Sequence, residues 1–569
     1  MSRYKITLTT LFCFFAMATS TVAFAQAKTY NEEITVVAPF DPIIPDAFKI
    51  SQNPAVDDTL TTIPVMNYNI MPRVADVKPV IETLPAVKLV AEPLSKLYRN
   101  YIRAGAGNYS ALYGELFMSS LRSKQYLASV RLKHQSAAGL IKDYGPTDNS
   151  RNEAEVTGTK YFGQHTLTGN AYYYRDGLHL YGFKPSDFPD TLIRKDDVKQ
   201  HYYTAGASAT FGSNYKAADK LNHTFSLSYY HMAGMNDSRE NNAQFTTTLD
   251  KRYDLLKLGK DQVLGVTAGY NFLNQHDLKG HINSGILLVN PFIKAQVNEY
   301  SFMAGFKVNI ASDSVTKGHL YPVAEARLEL IPDALKLYAG ISGGMERTSL
   351  QSISEQNLYI SPVLPWNYVY DKFKIYGGFQ SNISRSFNFN GSISSSSYEN
   401  YPLFVVDTSV YLHNSFTLLY DNISTVTLKG ELEFVKSARL RLALNGTYTH
   451  YKTVDQEYAW YKPAYVFEFT GRYDIQSKIT ITAKATVNGP VWALAPAANP
   501  LIDRSTVSYL LEPEKIKGWA DINLGAEYRF NKALSFWLNF NNLTNSKYNR
   551  WYNYRSYGLN LLGGVSYSF

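Results

Sequence analysis

The chain has a single cysteine among 569 residues, Cys13, and it falls in a segment expected to be discarded. Arg3 and Lys5 lead into an apolar run, Leu11 to Ala18, and Ala23-Phe24-Ala25 follows as a small-residue cleavage site. That is the pattern of a secretory signal, which places residues 1–25 outside the mature protein. Lipidation of Cys13, which needs a small residue just before the cysteine, is not expected. A mature chain without cysteine excludes disulfides, thiol catalysis and cysteine metal sites together. After the signal, no apolar run approaches the roughly 18 to 20 residues of a membrane helix, and leucine-rich helical stretches are scarce. Blocks of Lys and Arg are missing too. The formal charge of +8 falls by two to +6 when Arg3 and Lys5 leave, and reads as loop and solubility charge. Nucleic-acid binding is not expected.

What is abundant is tyrosine, 45 residues, in a chain with 14% aromatics. The last thirteen residues, YGLNLLGGVSYSF, put Tyr557, Leu559, Leu561, Gly563, Val565, Tyr567 and Phe569 on one face, with small or polar residues on the other. Period two with one apolar face is the signature of a strand between lipid and a wet lumen. Asp521 to Phe530, Arg439 to His450, Tyr465 to Tyr473 and Ile479 to Val487 read the same way. These runs exceed the roughly 5 to 6 residues usual in soluble sandwiches and match the length a tilted strand needs to cross a bilayer.

The connectors give an independent check. Tight links are expected at Arg122-Ser123, Gly163-Gln164, Val297-Asn298, Pro332-Asp333, Asn382-Ile383, Lys436-Ser437 and Asn531-Lys532. Between them lie long polar stretches at 136–151, 175–199, 347–371, 398–414, 451–463, 489–517 and 541–556. Short turns on one side and long loops on the other describe a membrane barrel. Two features fit less well: the outer link near Asn108 is short, and the inner links at 213–221 and 252–260 are long. The expected fold is all-β, a large antiparallel transmembrane barrel of about 22 strands over 98–569. An even count returns the C-terminus to the periplasm.

These residues resemble the barrel of TonB-dependent receptors. YDNISTVTLKGELEF (420–434) is similar to the strand leading into that family's final hairpins. WADINLGAEYRFNKALSFWLNFNNLTNSKYN (519–549) is similar to its near-terminal hairpin, and RAGAGNYSALYGELFMSSLRSK to the first barrel strands of a plug-poor, Bacteroidetes-like subgroup. The resemblance implies residence in the bacterial outer membrane. It also implies that the terminal Tyr567 and Phe569 are read by the barrel-assembly machinery. Twenty-two strands is the size class with a plugged lumen.

The departure from the family lies at the N-terminus. Residues 26–97 hold nine prolines from Pro39 to Pro93, which deny a sheet its donors. The family's globular plug is therefore not expected, and the segment reads as extended with short apolar beads such as Ile43-Ile44. At its start stands NEEITVVAP. In the family, a motif similar to Glu33, Ile34, Thr35, Val36, Val37 and Ala38 adds as a strand to a TonB-type energy transducer. The competing reading is an apolar bead docked in the lumen.

Other motifs resolve blandly. Gly340-Ile341-Ser342-Gly343-Gly344 matches a hydrolase nucleophile pattern, but that motif needs a strand-to-helix turn and here it lies inside an alternating strand. His276 and His281 sit in NQHDLKGHINS, read as a flexible loop without a third metal ligand. Tyr172-Tyr173-Tyr174, Tyr202-Tyr203, Tyr229-Tyr230 and Trp519 read as membrane-interface aromatics. Candidate ligand faces are the outer-loop residues Trp366, Tyr368 and Tyr370, and Arg550, Trp551, Tyr552, Tyr554 and Arg555. The rival reading has these aromatics closing the barrel mouth. No catalytic, metal or cofactor site is expected. The leading functional reading is a receptor-type barrel for nutrient uptake, alone or within an envelope complex. The lumen would be sealed by its own N-terminal segment, a surface lipoprotein or a plug-like partner. The alternatives are a structural or assembly subunit that transports nothing, and a passive pore.

Overall fold

The computed structural model describes residues 98–569 except 122, 189–191, 218–219, 254–259, 314 and 497–510. The chain divides into two units, Met1–Ala91 and Glu92–Phe569, and every described residue belongs to the second. The signal, the proline-rich segment and Glu33 to Ala38 lie outside the described residues.

Twenty-two antiparallel strands form one sheet. Each pairs with its neighbour in sequence. The first, Asn100–Gly107, also pairs with the last, Asn560–Ser568, in the register Tyr101↔Ser568 to Gly107↔Leu562. The sheet thus closes into a barrel without edges, which leaves no backbone ladder unpaired. The strand count is the one the alternation implied. We call the rim holding Asn100 and Phe569 the inner rim and the opposite one the outer rim.

The period-two sequence explains the wall. In Trp519–Arg529, Ile522, Leu524 and Tyr528 are exposed, while Asp521, Asn523 and Glu527 are half-buried. Register carries the outward face across strands: Leu524 sits opposite Phe540, and Ala526 opposite Leu538. The result is an apolar outer belt whose exposure to water would cost about 25 cal/mol per Å²; it suits lipid. Inward residues form polar ladders. Arg131 bridges Glu115 at 3.0 Å and Glu153 at 3.2 Å, and Arg151 bridges Glu153 at 2.8 Å and Asp176 at 3.4 Å.

The inner links are short where the turn chemistry allows it. Gly163, Asn298, Asp333 and Ser437 all take positive φ, in links at 163–164, 298–299, 332–334 and 437–439. One link was misplaced by the sequence reading. The strand Tyr368–Ser384 runs past Asn382-Ile383, and the turn is Arg385-Ser386. On the outer rim, three more links are tight than the sequence pattern implied: 235–238, 278–279 and 313–316. There the strands run on as paired hairpins above the wall and end in turns such as Asn236-Asp237, both at φ 58. The same extension corrects the histidine loop. His276 and His281 are register partners in the paired strands Lys260–Asp277 and Gly280–Val297, so the segment is not a flexible loop. Among the described residues, no group of three metal-ligating side chains forms.

The tyrosine runs split by strand pleat. Tyr173 and Tyr229 are exposed on the outer face. Tyr172 and Tyr174 stack on each other at 5.0 Å, Tyr174 donating to Glu155, while Tyr202 is buried and Tyr230 donates to Glu240. Only alternate tyrosines can therefore serve an interface belt. Gly340 lies within the strand Leu335–Arg347, where a Cβ would meet the Tyr376 ring at 2.6 Å and the Ala324 carbonyl at 2.7 Å. Its glycine serves close packing, not a nucleophile turn.

Candidate functional site at the outer mouth

The long outer connections are 138–148, 180–198, 348–367, 407–415, 454–464, 489–518 and 542–559. Two contain hairpins of their own, Val491–Pro496 with Leu511–Ile516 and Asn549–Trp551 with Tyr554–Arg555. Several of these connections supply side chains to one hydrophobic core. It includes Leu178, Ile353, Ile360, Leu403, Phe404, Phe416, Trp460, Tyr461, Ala493 and Tyr554, all buried. Leu178, Leu403, Phe404 and Phe416 come from the outer ends of wall strands, and the others from connections that arise far apart around the ring, so they meet over the mouth.

Tyr554 is the centre of this core. It is 2% exposed, its ring stacks on Tyr359 at 3.7 Å, and Tyr181 packs edge-on at 4.8 Å. Its hydroxyl donates to the Asn414 carbonyl at 2.5 Å, and Asn414 Nδ2 donates to the Leu180 carbonyl at 2.6 Å. Four connections are thus tied at one tyrosine. Trp551 lies beside it against Phe404, Phe416 and Tyr461, at centroid distances of 5.0, 5.3 and 4.8 Å. Burial pushes the phenols of Tyr554 and Tyr461 well above the usual tyrosine range, so both stay neutral.

Two buried carboxylates at the outer ends of wall strands hold the loops down. Asp421 accepts the consecutive amides of Val454, Asp455 and Gln456 at 3.2, 3.0 and 3.0 Å. Glu240 is fully buried. It accepts the amides of Leu350 and Gln351, which open the short helix Leu350–Ser354, as well as Gln275 Nε2 and the Tyr230 hydroxyl. Burial pushes the Glu240 carboxyl above the usual carboxylate range, and its four donors oppose that shift. Sequence gave no hint of either residue.

The predicted ligand aromatics separate into groups. Trp366 packs half-buried at the edge of the loop core, and Tyr552 likewise. Tyr368 and Tyr370 are not loop residues. They begin the strand Tyr368–Ser384 and form a second small core with Ala311. Arg550 remains exposed and stacks over Trp519 at 5.2 Å, and the Arg555 carbonyl accepts the Tyr181 hydroxyl at 2.8 Å. The set is therefore not one ligand face, and Tyr554 and Trp551 have their ring faces occupied by other loops. At the inner rim, Tyr567 and Phe569 are exposed outward and stack at 5.6 Å, and the Phe569 carbonyl accepts the amides of Arg99 and Asn100.

Below the loops, a cavity of about 280 Å³ is lined by Asp148, Arg151, Asp176, His179, Tyr181 and Tyr359, among others. A second, of about 410 Å³, is lined by Arg441, Arg472, Lys484, Asn523, Asn539 and Asn541 with their neighbours. The first combines charges of both signs with amides, and the second sets three cations among amides with no acid in its lining, a chemistry of binding more than of bond making.

The loop core makes a direct prediction. Tyr554→Ala removes a large buried ring, a change that costs about 3–5 kcal/mol in a packed core. The barrel should persist while the loops loosen. In intact cells, added protease should then cleave within 348–367 and 407–415 much faster than in wild type. Unchanged cleavage would show that the loops hold without Tyr554.

No protein-family model and no curated protein sequence matches the chain. Solved structures do. The pyoverdine outer membrane receptor FpvA from Pseudomonas aeruginosa aligns over 84% of this chain and 79% of its own, at 13% identity and a TM-score of 0.60. The siderophore receptor PirA from Acinetobacter baumannii covers 84% and 81%, at 12% identity and 0.61. The FrpB iron transporter from Neisseria meningitidis covers 84% and 82%, at 10% identity and 0.62. The likeness is one of fold: this chain has the large closed barrel that these proteins share.

Proposed function

We propose that this chain is an outer-membrane barrel of the TonB-dependent receptor type that works in nutrient uptake, alone or within an envelope complex. The observation that carries the reading is the loop core over the mouth of a 22-strand barrel. A passive pore gains nothing from a mouth packed shut, whereas a receptor needs a mouth that opens to its ligand. The fold of the siderophore and iron proteins above supports the same reading and makes iron chelates the first substrate class to test. In this reading the first 25 residues are a cleaved signal, and the barrel-assembly machinery reads Tyr567 and Phe569. Glu33 to Ala38 engage a TonB-type transducer. The proline-rich 26–97, a surface lipoprotein or a plug-like partner seals the lumen. No enzymatic role is proposed.

The rival reading, a structural subunit without transport, makes different predictions in cells. Strains with and without the gene would be compared for uptake of radiolabelled iron chelates, oligosaccharides and peptides, and the purified barrel for conductance in planar bilayers. A receptor gives gene-dependent uptake of one class and a silent barrel. Unchanged uptake of every class with a weakened envelope would favour the structural subunit, and steady conductance the pore.

A further inference from the structure

Near the inner rim, three lysines lie within five neighbouring strands, two of them on the lipid-facing side of the wall by register. Lys160 sits opposite Leu167 and Tyr126, and Lys251 sits opposite Leu221 and Leu264. Those four partners are all exposed apolar residues of the outer belt, so register puts both lysines on the face that meets lipid. Lys220 ends the inner link at 214–220. Each ammonium rests on an aromatic ring close in sequence: Lys160 over Phe162 at 5.5 Å, Lys220 over Tyr215 at 5.0 Å and Lys251 over Tyr253 at 5.2 Å. None of the three has an acidic partner among the described residues.

Between the lysines lies a patch of rings on the same face. His165 stacks on Phe211 at 5.2 Å, stands 5.3 Å from His223 and shares a 2.9 Å hydrogen bond with Tyr215. Neighbouring strands lie about 4.8 Å apart, so Lys160 and Lys251 are about 20 Å apart along the rim. The sector therefore presents separated positive charges above an aliphatic wall, at the depth where long cationic side chains reach the headgroups.

We infer that this sector binds anionic phospholipid of the inner leaflet, the lysines meeting the phosphodiesters and the rings of His165, Phe211, Tyr215 and His223 supporting the glycerol level. Charge complementarity singles out that occupant. A zwitterionic headgroup brings its own cation, which the lysines repel, whereas a phosphatidylglycerol brings only the phosphate. Lipid attraction of this kind is additive over lysines and falls off within a Debye length of the surface. The sector would fix the barrel's depth and tilt at the periplasmic interface. The inference rests on the barrel lying in a bilayer.

The test uses the full-length protein in nanodiscs of mixed phosphatidylethanolamine and phosphatidylglycerol, with retained lipid identified by native mass spectrometry. Wild type should keep phosphatidylglycerol severalfold above its share of the mixture. The variant Lys160→Gln, Lys220→Gln, Lys251→Gln should keep the two lipids in proportion to the mixture. A control, Lys279→Gln with Lys317→Gln, removes charge at the opposite rim and should behave as wild type. Equal retention by wild type and the triple variant overturns the inference, and so does a control that falls as far as the triple variant. Failure of wild type to insert into any nanodisc would instead refute the membrane-barrel reading itself.

Discussion

Gly564→Val should leave almost no folded barrel in the membrane. Gly564 lies opposite Gly105 in the seam where the last strand meets the first. A Cβ at 564 would stand 2.0 Å from the Ala104 carbonyl oxygen, 2.6 Å from the Gly105 Cα and 2.7 Å from the Trp537 ring. The indole of Trp537 lies over this glycine pair, 4% exposed, with the Arg103 guanidinium stacked on it at 4.2 Å. Overpacking costs about 1–3 kcal/mol where side chains can yield; here the obstacle is backbone, and the closing ladder itself must part. Compact barrel, seen as the fast-migrating band of unheated samples on a denaturing gel, should fall by about tenfold or more. Gly114→Val is the matched control. It lies on the second strand with nothing within 4 Å of its added Cβ, and should fold nearly as wild type. Normal compact barrel from Gly564→Val would mean that the seam can shift register around the new side chain.

That seam also shows what the sequence can convey. The alternation of Leu561 to Phe569 placed the outward residues correctly, because one face of every wall strand is selected against lipid and the other against water. Tyr557, read on the same face, lies instead in the connection 542–559, stacked on Tyr109 and donating to Thr147. Strand number followed from the same rule applied along the chain. What alternation does not encode is where a strand leaves the membrane. Phe387–Val406 and Phe416–Lys436 hold 20 and 21 residues, about 65–70 Å at 3.3 Å each, far beyond a tilted bilayer crossing. Above the wall, ladder pairing continues without any change of period to announce it, so stretches read as polar loops proved to be strand. Tyr368 and Tyr370 were misplaced for that reason.

The mouth was legible only in fragments. Pro402 to Val406 is an apolar run inside a stretch otherwise polar, and it supplies Leu403, Phe404, Val405 and Val406 to the loop core. That run was a usable signal. Asp421 and Glu240 gave none, because a carboxylate that holds loop amides looks the same in sequence as one that faces water. Their roles depend on backbone brought in from 33 and 110 residues away. The choice between ligand aromatics and mouth-closing aromatics is similarly a matter of which loops meet, and Trp551 and Tyr554 meet four of them.

Thr35→Pro should abolish uptake while leaving the barrel in the membrane at wild-type amounts. If Glu33 to Ala38 add as a strand to an energy-transducing partner, recognition is mainly through the backbone, with alternate side chains adding specificity. Proline deletes a donor and fixes φ at about −65°, so it breaks such a ladder at its centre. Thr35→Ser keeps donor, acceptor and extended backbone, and should transport as wild type. Uptake of whichever class proves gene-dependent, measured beside surface amounts of each variant, separates coupling from assembly. Neither change replaces a residue of the seam or of the loop core, so a loss of barrel in Thr35→Pro alone would point to a role in biogenesis. An apolar bead in the lumen predicts a different order of effects. Val36→Ser with Val37→Ser removes apolar area but no backbone donor, and should then hurt as much as proline. Under strand addition the double serine variant should keep most of its uptake, since the ladder survives it. Full uptake by both Thr35→Pro and the double serine variant would remove the coupling strand from the mechanism and favour a barrel that serves as a structural member of a complex.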